Sequence, residues 1–441
     1  MTSKEPDAKA ASRKLLQVAI DHIAEMFQSD RMIWQLKQKV QLHPVHGDSL
    51  SITKTIDGPF VAFRAAFELR DSTDFAVFEQ AIEADAVLGA RIHTMVGTPW
   101  QSRQMTPFDF FQVLLAKVLD QCEDGISLSL ERFDDAWDST TKLATTSSVK
   151  VRYWSIISNL EIPHGATEIL PGILLRGLSN SEAIDQWNRS RFLQDRYPFE
   201  SSYGPSIEAI RTLLESTTEE PVIVGRETEP QRFQQIYDTM QSDFDSVCAS
   251  IRLLKHEPIL MSRLFVEVED IWSSAMALDH QDWIPLSYTR PCILSREDMN
   301  ELQKLLKTLL RAKPHLKRST LVCLRRINFA NTRTSLEDKL LDVMMALENL
   351  VLQDSGGELS FRLAIRLAKF LSTDVKEQHG IFDKVRRVYK VRNKIVHGQE
   401  MDQSDTGLVG EIESLAKLAI RKDLHSLSEG KPVDWDTILF T

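Results

Sequence analysis

The stretch "IFDKVRRVYKVRNKIVH", residues 381–397, carries Val385, Val388, Tyr389, Arg392, Ile395 and Val396 at i, i+3, i+4 and i+7 spacing, which predicts one amphipathic helix. Arg392 falls on the apolar face of that helix, one heptad after Val385. A guanidinium there needs a carboxylate, a carbonyl or an anionic ligand, because burying the charge alone is costly. Asn393 and His397 lie four residues apart at the edge of the same face. Arg392 is displaced from His397 by roughly 140° at 100° per residue, so Arg392, Asn393, Val396 and His397 share one arc.

Outward from this helix, every segment beyond "SYTRPCILSREDMN" reads as helical. "REDMNELQKLLKTLLRA" stops before Pro314, "HLKRSTLVCLRRINFAN" follows, and "SLEDKLLDVMMALENLVLQ" opens with Ser335 and Asp338 in the manner of a capping box. "GELSFRLAIRLAKFLS" comes next, Gly398 is a candidate C-cap, and a last helix spans about 407–427. Short connections between helices favour a bundle.

Further upstream the pattern is mixed. Lys14 to Val40 reads as a long amphipathic helix or a broken pair, "LSITKTI" as a strand, and "DFAVFEQAIEADAVLGARIHTM" and "TPFDFFQVLLAKVLDQC" as helices, with Thr106-Pro107 as N-cap and first-turn proline. "VKVRYWSIISNLEI", "TEILPGILLRGL", "EPVIVG" and "ILMSRLFVEVEDI" read as strands. "STTKLATTSS" reads as a polar junction between two parts of this region. The expected class is α+β, an N-terminal mixed α/β region followed by a C-terminal all-α bundle. Its divisions are an α-rich region over 1–145, a strand-rich region over 146–290, a helical bundle over 295–428 and a tail over 429–441.

Composition agrees with a globular protein: 42% hydrophobic, 26% charged, and only 16 Pro and 17 Gly in 441 residues. No apolar run approaches a membrane span and the N-terminus does not read as a secretory signal, so a cytoplasmic location without membrane contact is expected. Cys122, Cys248, Cys292 and Cys323 are far apart, which argues against a disulfide framework and a thiolate metal site. The net charge of −10 hides an asymmetry: residues 301–400 hold 20 Lys and Arg against 11 Asp and Glu, a surplus of nine that leaves −19 elsewhere. A basic segment in an acidic chain fits a polyanion such as RNA, and equally a salt-bridged helix surface.

The Arg392–Asn393–His397 arc has the parts of a metal-independent ribonuclease. Histidine can take a proton from a ribose 2′-OH or give one to the leaving 5′ oxygen. Arginine can grip the scissile phosphate, and Asn393 can orient either. RNA supplies its own nucleophile, so neither metal nor cofactor is needed. The R-x4-H spacing by itself says little, since chance supplies it roughly 0.7 times in a chain of this composition. Helical setting, an apolar-face Arg and a basic surrounding add to it.

The quoted helices "SLEDKLLDVMMALENLVL", "GELSFRLAIRLAKFL" and "VRRVYKVRNKIVHG", in this order, resemble the HEPN superfamily, most closely its Apea-like branch, over roughly residues 295–428. The resemblance implies a helical bundle whose R-[polar]-x3-H motif falls on Arg392, Asn393 and His397, a homodimer that faces two motifs across a cleft, and RNA cleavage in phage defence, abortive infection or as a toxin. It matches Glu348 to a recurrent acid that would position Arg392, although Glu348 is equally readable as a structural charge, and Asp342 is a weaker candidate. Lys390 and Lys394 are candidate substrate contacts. The N-terminal region is expected to sense or regulate, through a regulatory protein or a phage-derived trigger. Some members of the superfamily are non-catalytic, so an adaptor that binds RNA or a protein partner is the alternative.

Other signals are weaker. His43, His46 and Asp48, and also Asp279, His280 and Asp282, have metal-like spacing but read better as surface loops. "DSGGELS" lacks the lysine of a phosphate loop, Asn188–Ser190 is a sequon without secretory context, and Trp34, Trp154, Trp187 and Trp272 read as core.

Overall fold

In a computed structural model of the chain, the residues described are 7–29, 38–44, 50–56, 58–91, 95–98, 101–104, 106–120, 128–162, 165–179, 181–183, 210–221, 223–224, 230–262, 264–268, 276–277, 291–352 and 357–439. They form a mixed α+β protein with helices at both ends and an antiparallel sheet between them.

The N-terminal part contains α1 (Ala8–Ser29), the hairpin β1 (Gln38–Pro44) and β2 (Leu50–Ile56), α2 (Gly58–Leu69), α3 (Thr73–Ala84), the hairpin β3 (Met95–Thr98) and β4 (Gln101–Gln104), α4 (Pro107–Asp120) and α5 (Leu130–Thr145). Its core joins Leu15, Leu16 and Ile23 to Phe78, Phe110, Phe111 and Phe133. α4 starts as expected. Thr106 Oγ1 accepts the Asp109 N–H and Asp109 Oδ2 accepts the Thr106 N–H, a reciprocal cap behind a first-turn proline.

Two expectations are corrected here. The long helix or broken pair anticipated over Lys14–Val40 does not extend to Val40: α1 covers Ala8–Ser29, residues 30–37 lie outside the described residues, and residues 38–40 belong to β1, where Gln38 faces Ile56 and Val40 faces Lys54. Val40 and Leu42 alternate with polar neighbours, a period of two that had been continued as helical spacing. The polar "STTKLATTSS" junction is instead mostly helix, with Thr140 and Ala144 buried in the last turns of α5. Thr145 Oγ1 donates to the Thr141 carbonyl, so the hydroxyl is satisfied inside the helix rather than breaking it.

The sheet contains β5 (Ser148–Ser158), β7 (Gly165–Leu170), β8 (Ile173–Gly177), β9 (Ile210–Pro221), β11 (Leu260–Met261), β12 (Phe265–Val268) and β13 (Met276–Ala277). Its order is β13-β12-β5-β9-β8-β7, with β11 also on β5, and every pairing is antiparallel. The short β6 (Leu160–Glu161) pairs in parallel with β14 (Cys292–Ile293), and β10 (Ile223–Val224) extends the β3–β4 hairpin. β5 follows the predicted strand and Trp154 is fully buried, stacked on Phe265 at 4.3 Å.

Two large elements had no sequence expectation. β9 pairs with almost all of β5, yet "IRTLLESTTEEP" is largely polar, with three Glu and adjacent leucines that break alternation. α6 (Pro230–Leu254) lays Phe244, Val247, Cys248 and Ile251 on the sheet face formed by Val151, Tyr153 and Ile157.

The C-terminal bundle contains α7 (Arg296–Ala312), α8 (Arg318–Thr332), α9 (Leu336–Val351), α10 (Leu359–Leu371), α11 (Val375–Val396) and α12 (Thr406–Ser428). Leu340, Leu347, Leu367, Val385, Val388 and Ile412 lie at its centre. α7 serves two cores. Met299, Leu302 and Leu306 pack on the sheet, whereas Leu305, Leu309 and Ala312 pack in the bundle. Both sets repeat with helical spacing, so one amphipathic helix with two apolar stripes joins the layers.

Polar contacts reinforce this joint. Asn331 accepts the Ile259 N–H at 3.0 Å and donates to the Glu257 carbonyl at 3.1 Å, and Lys417 donates to the Lys255 carbonyl at 2.5 Å. Among the described residues, no helix is long and apolar enough to cross a membrane.

Candidate functional site

α11 begins earlier than its apolar pattern suggested, at an Asp374 cap whose carboxylate accepts the Glu377 N–H at 2.8 Å. Ile381, Val385, Val388, Tyr389 and Val391 bury its inner face. At the other end His397 is the C-cap and Gly398 has φ +79°. The Gly398 N–H reaches the Ile395 carbonyl at 2.9 Å and the Gln399 N–H reaches the Lys394 carbonyl at 3.0 Å, the two bonds of a Schellman turn. The turn ends the helix directly at His397 and leaves its imidazole in solvent.

Arg392 lies at the margin of the apolar face, its side chain 25% exposed. Its guanidinium donates to Asn393 Oδ1 at 3.2 Å and to Glu348 Oε2 of α9 at 3.4 Å, and stands 5.6 Å from the centre of the Tyr389 ring. The carboxylate required by a half-buried Arg is therefore Glu348. Burial pushes the Glu348 carboxyl above the usual range, opposed by the Arg392 charge and the Tyr389 hydroxyl. Burial and the neighbouring Glu348 charge push the Tyr389 phenol up as well. Glu348, Tyr389, Arg392 and Asn393 thus form one connected group, with His397 one turn beyond Asn393.

The remaining expected residues divide. Val396 does not belong to the buried face: it is 54% exposed, because the arc turns outward in the last turn. Lys390 is exposed. Lys394 is also exposed and pairs with Asp402 at 3.0 Å, a surface pair weak enough for an anion to displace. Asp342 is 2% exposed and bound by Arg326 at 2.9 Å and Arg333 at 2.8 Å, so it ties α8 to α9 away from Arg392.

Tyr389 and the segment after His397 escaped sequence reasoning. The Met401 N–H donates to Glu337 Oε1 at 2.7 Å and Asp405 pairs with Arg387 at 2.7 Å, so residues 398–405 fold back along α11 and fix the side of the arc. The only sequence signal for Tyr389 was its place one turn before Arg392.

Of the rival sites, His46, Asp48, Asp279, His280, Asp282, Asn188, Trp34, Trp187, Trp272 and Cys122 lie outside the described residues. Among the described residues no group of three or more His, Cys, Asp or Glu could hold a metal. Cys248, Cys292 and Cys323 are buried free thiols, and burial pushes Cys248 and Cys292 up to about 12, which keeps them unreactive near neutral pH. No protein-family model, no curated protein and no solved structure matches this chain.

Proposed function

We propose that the chain is a metal-independent endoribonuclease of HEPN type that acts as a homodimer. The observation that carries the reading is the joining of Arg392 to Glu348, Asn393 and Tyr389 on a helix that ends in an exposed His397. Glu348 holds the guanidinium at the cleft margin, where it meets the scissile phosphate and balances the charge that develops on it. His397 takes the 2′-OH proton as that oxygen attacks phosphorus. The bond to the 5′ oxygen breaks, and the same histidine of a second copy returns a proton to it. The products are a 2′,3′-cyclic phosphate and a free 5′-OH.

One copy supplies one His397 to the site, and in this reading the acid comes from the His397 of a second chain. Lys390 and Lys394 extend the positive surface beside the arc and contact flanking phosphates. The N-terminal helices and sheet, joined to the bundle through α7, hold the regulatory part. A trigger acting there raises cleavage above a basal rate in defence against phage or as a toxin.

The test compares wild type with Arg392→Ala and His397→Ala on total RNA in EDTA. Wild type is expected to yield fragments with 2′,3′-cyclic phosphate ends, and each variant at least 100-fold fewer, with circular dichroism unchanged. Equal patterns from all three proteins would end the nuclease reading. RNA binding by wild type without cleavage would favour the adaptor.

A further inference from the structure

A cleft of about 670 Å³ opens beside the arc, lined by Glu358, Leu359, Ser360, Phe361, Arg386 and Tyr389. Its size is that of an ordinary ligand site. It shares Tyr389 with the Arg392 group, so it is the direct continuation of the candidate cleavage site along α11. Arg386, Tyr389 and Asn393 follow one another at three- and four-residue steps toward His397. Arg386 and Arg392 are six steps apart, about 9 Å along the helix axis and roughly 120° around it, on either side of Tyr389.

The lining chemistry is that of a nucleobase site. Phe361 is 44% exposed although it is a large aromatic residue at the start of α10. One edge contact fixes it: its ring meets Phe382 at 5.5 Å and 80°, and Arg386 stands 5.8 Å from the same Phe382 ring. Phe361 is thus held by its neighbour while much of its surface faces the cleft. An exposed aromatic ring beside a guanidinium is a platform that can stack a base while the cation meets its phosphate. Glu358 and Ser360 also line the cleft, a carboxylate acceptor and a hydroxyl suited to a base edge.

We propose that this cleft binds the nucleobase next to the scissile phosphate, with Phe361 stacking the base and Arg386 contacting its phosphate. The proposal rests on the ribonuclease reading, and it makes single-stranded RNA the substrate, since a paired base cannot enter. A base that carries an exocyclic amino group is favoured, because Glu358 supplies a carboxylate acceptor.

The test uses full-length protein and a fluorescent single-stranded oligoribonucleotide. In the His397→Ala background, Phe361→Ala is expected to weaken binding about tenfold by anisotropy, Phe361→Tyr to retain it, and a duplex of the same sequence to bind less tightly than the single strand. With His397 present, Phe361→Ala is expected to raise KM about tenfold and leave kcat within a factor of three. Arg386→Ala should weaken binding and flatten its dependence on salt. Binding and KM unchanged in Phe361→Ala, with circular dichroism unchanged, would overturn the base site while cleavage by wild type left the nuclease reading standing. Absence of cleavage by wild type would end that reading, and the anisotropy series would still decide whether the cleft binds RNA.

Discussion

Arg392 and Glu348 show how one ion pair can serve a site at the expense of the fold. A carboxyl whose folded pKa is raised contributes stability only while protonated, and that contribution is lost as pH rises through the folded value. Burial therefore disfavours the ionised form of Glu348 in the folded chain, and the Arg392 charge works against that. Glu348→Gln keeps the shape and removes the charge. Relief of the buried carboxylate and loss of the partner of Arg392 oppose each other, so the variant is expected to melt close to wild type, while on the ribonuclease reading RNA cleavage falls on the order of 10- to 100-fold because Arg392 loses its anchor. Calorimetry and a cleavage assay check the pair, and a lower melting temperature with intact cleavage would return Glu348 to a structural charge. The need for an acid beside Arg392 was legible from the helix pattern alone. Spacing alone did not separate Glu348 from Asp342 on the same helix; the family resemblance pointed to Glu348, which the structure places on Arg392, whereas Asp342 is bound by Arg326 and Arg333.

At the scale of elements, α11 is set by its ends. Asp374 begins it and Gly398 ends it, and a Cβ at Gly398 would touch nothing within 4 Å, so the cost of a side chain there is conformational. Gly398→Ala is expected to lose about 1–2 kcal/mol in urea unfolding, because φ +79° disfavours an L-residue. The change also displaces His397, so cleavage is expected to fall by more than the stability loss explains. A variant with full activity would separate the turn from the site. Helices of this kind were legible because a 3.6-residue period and caps such as Thr106–Asp109 are local signals. β9 was not legible. Leu213 and Leu214 are both buried on opposite faces, which erases alternation, and only pairing with β5 makes the segment a strand.

For the molecule as a whole, the joint between sheet and bundle contains a cluster of buried charges. Burial acts to raise the Glu413 carboxyl, but the His256 hydrogen bond and the Lys417 and Lys339 charges outweigh it and hold the group at about 2. Glu413 is 2% exposed, with Lys417 at 2.6 Å, Lys339 at 2.8 Å and His256 at 3.3 Å. A carboxyl lowered from 4.5 contributes stability above that pH and loses it as pH falls toward about 2. Glu413→Gln leaves the buried Lys417 and the half-buried Lys339 less well paired and is expected to cost about 3 kcal/mol at neutral pH. It should also flatten the acid limb of the stability curve between pH 4.5 and about 2, and denaturant titrations at several pH values check both parts. An unchanged acid limb would remove Glu413 from the joint's energetics.

The sequence by itself determined the helices of the bundle, the position of Arg392 on a mostly apolar face, and the stacking of Asn393 over His397, because each follows from spacing along a single helix. Tertiary structure decided that Asp342 serves Arg326 and Arg333 and not Arg392, that Val396 faces solvent, that Tyr389 belongs to both the arc and the neighbouring cleft, and that α7 joins sheet to bundle. These are contacts between segments distant in the chain. Their partners are chosen by packing, which no local pattern encodes.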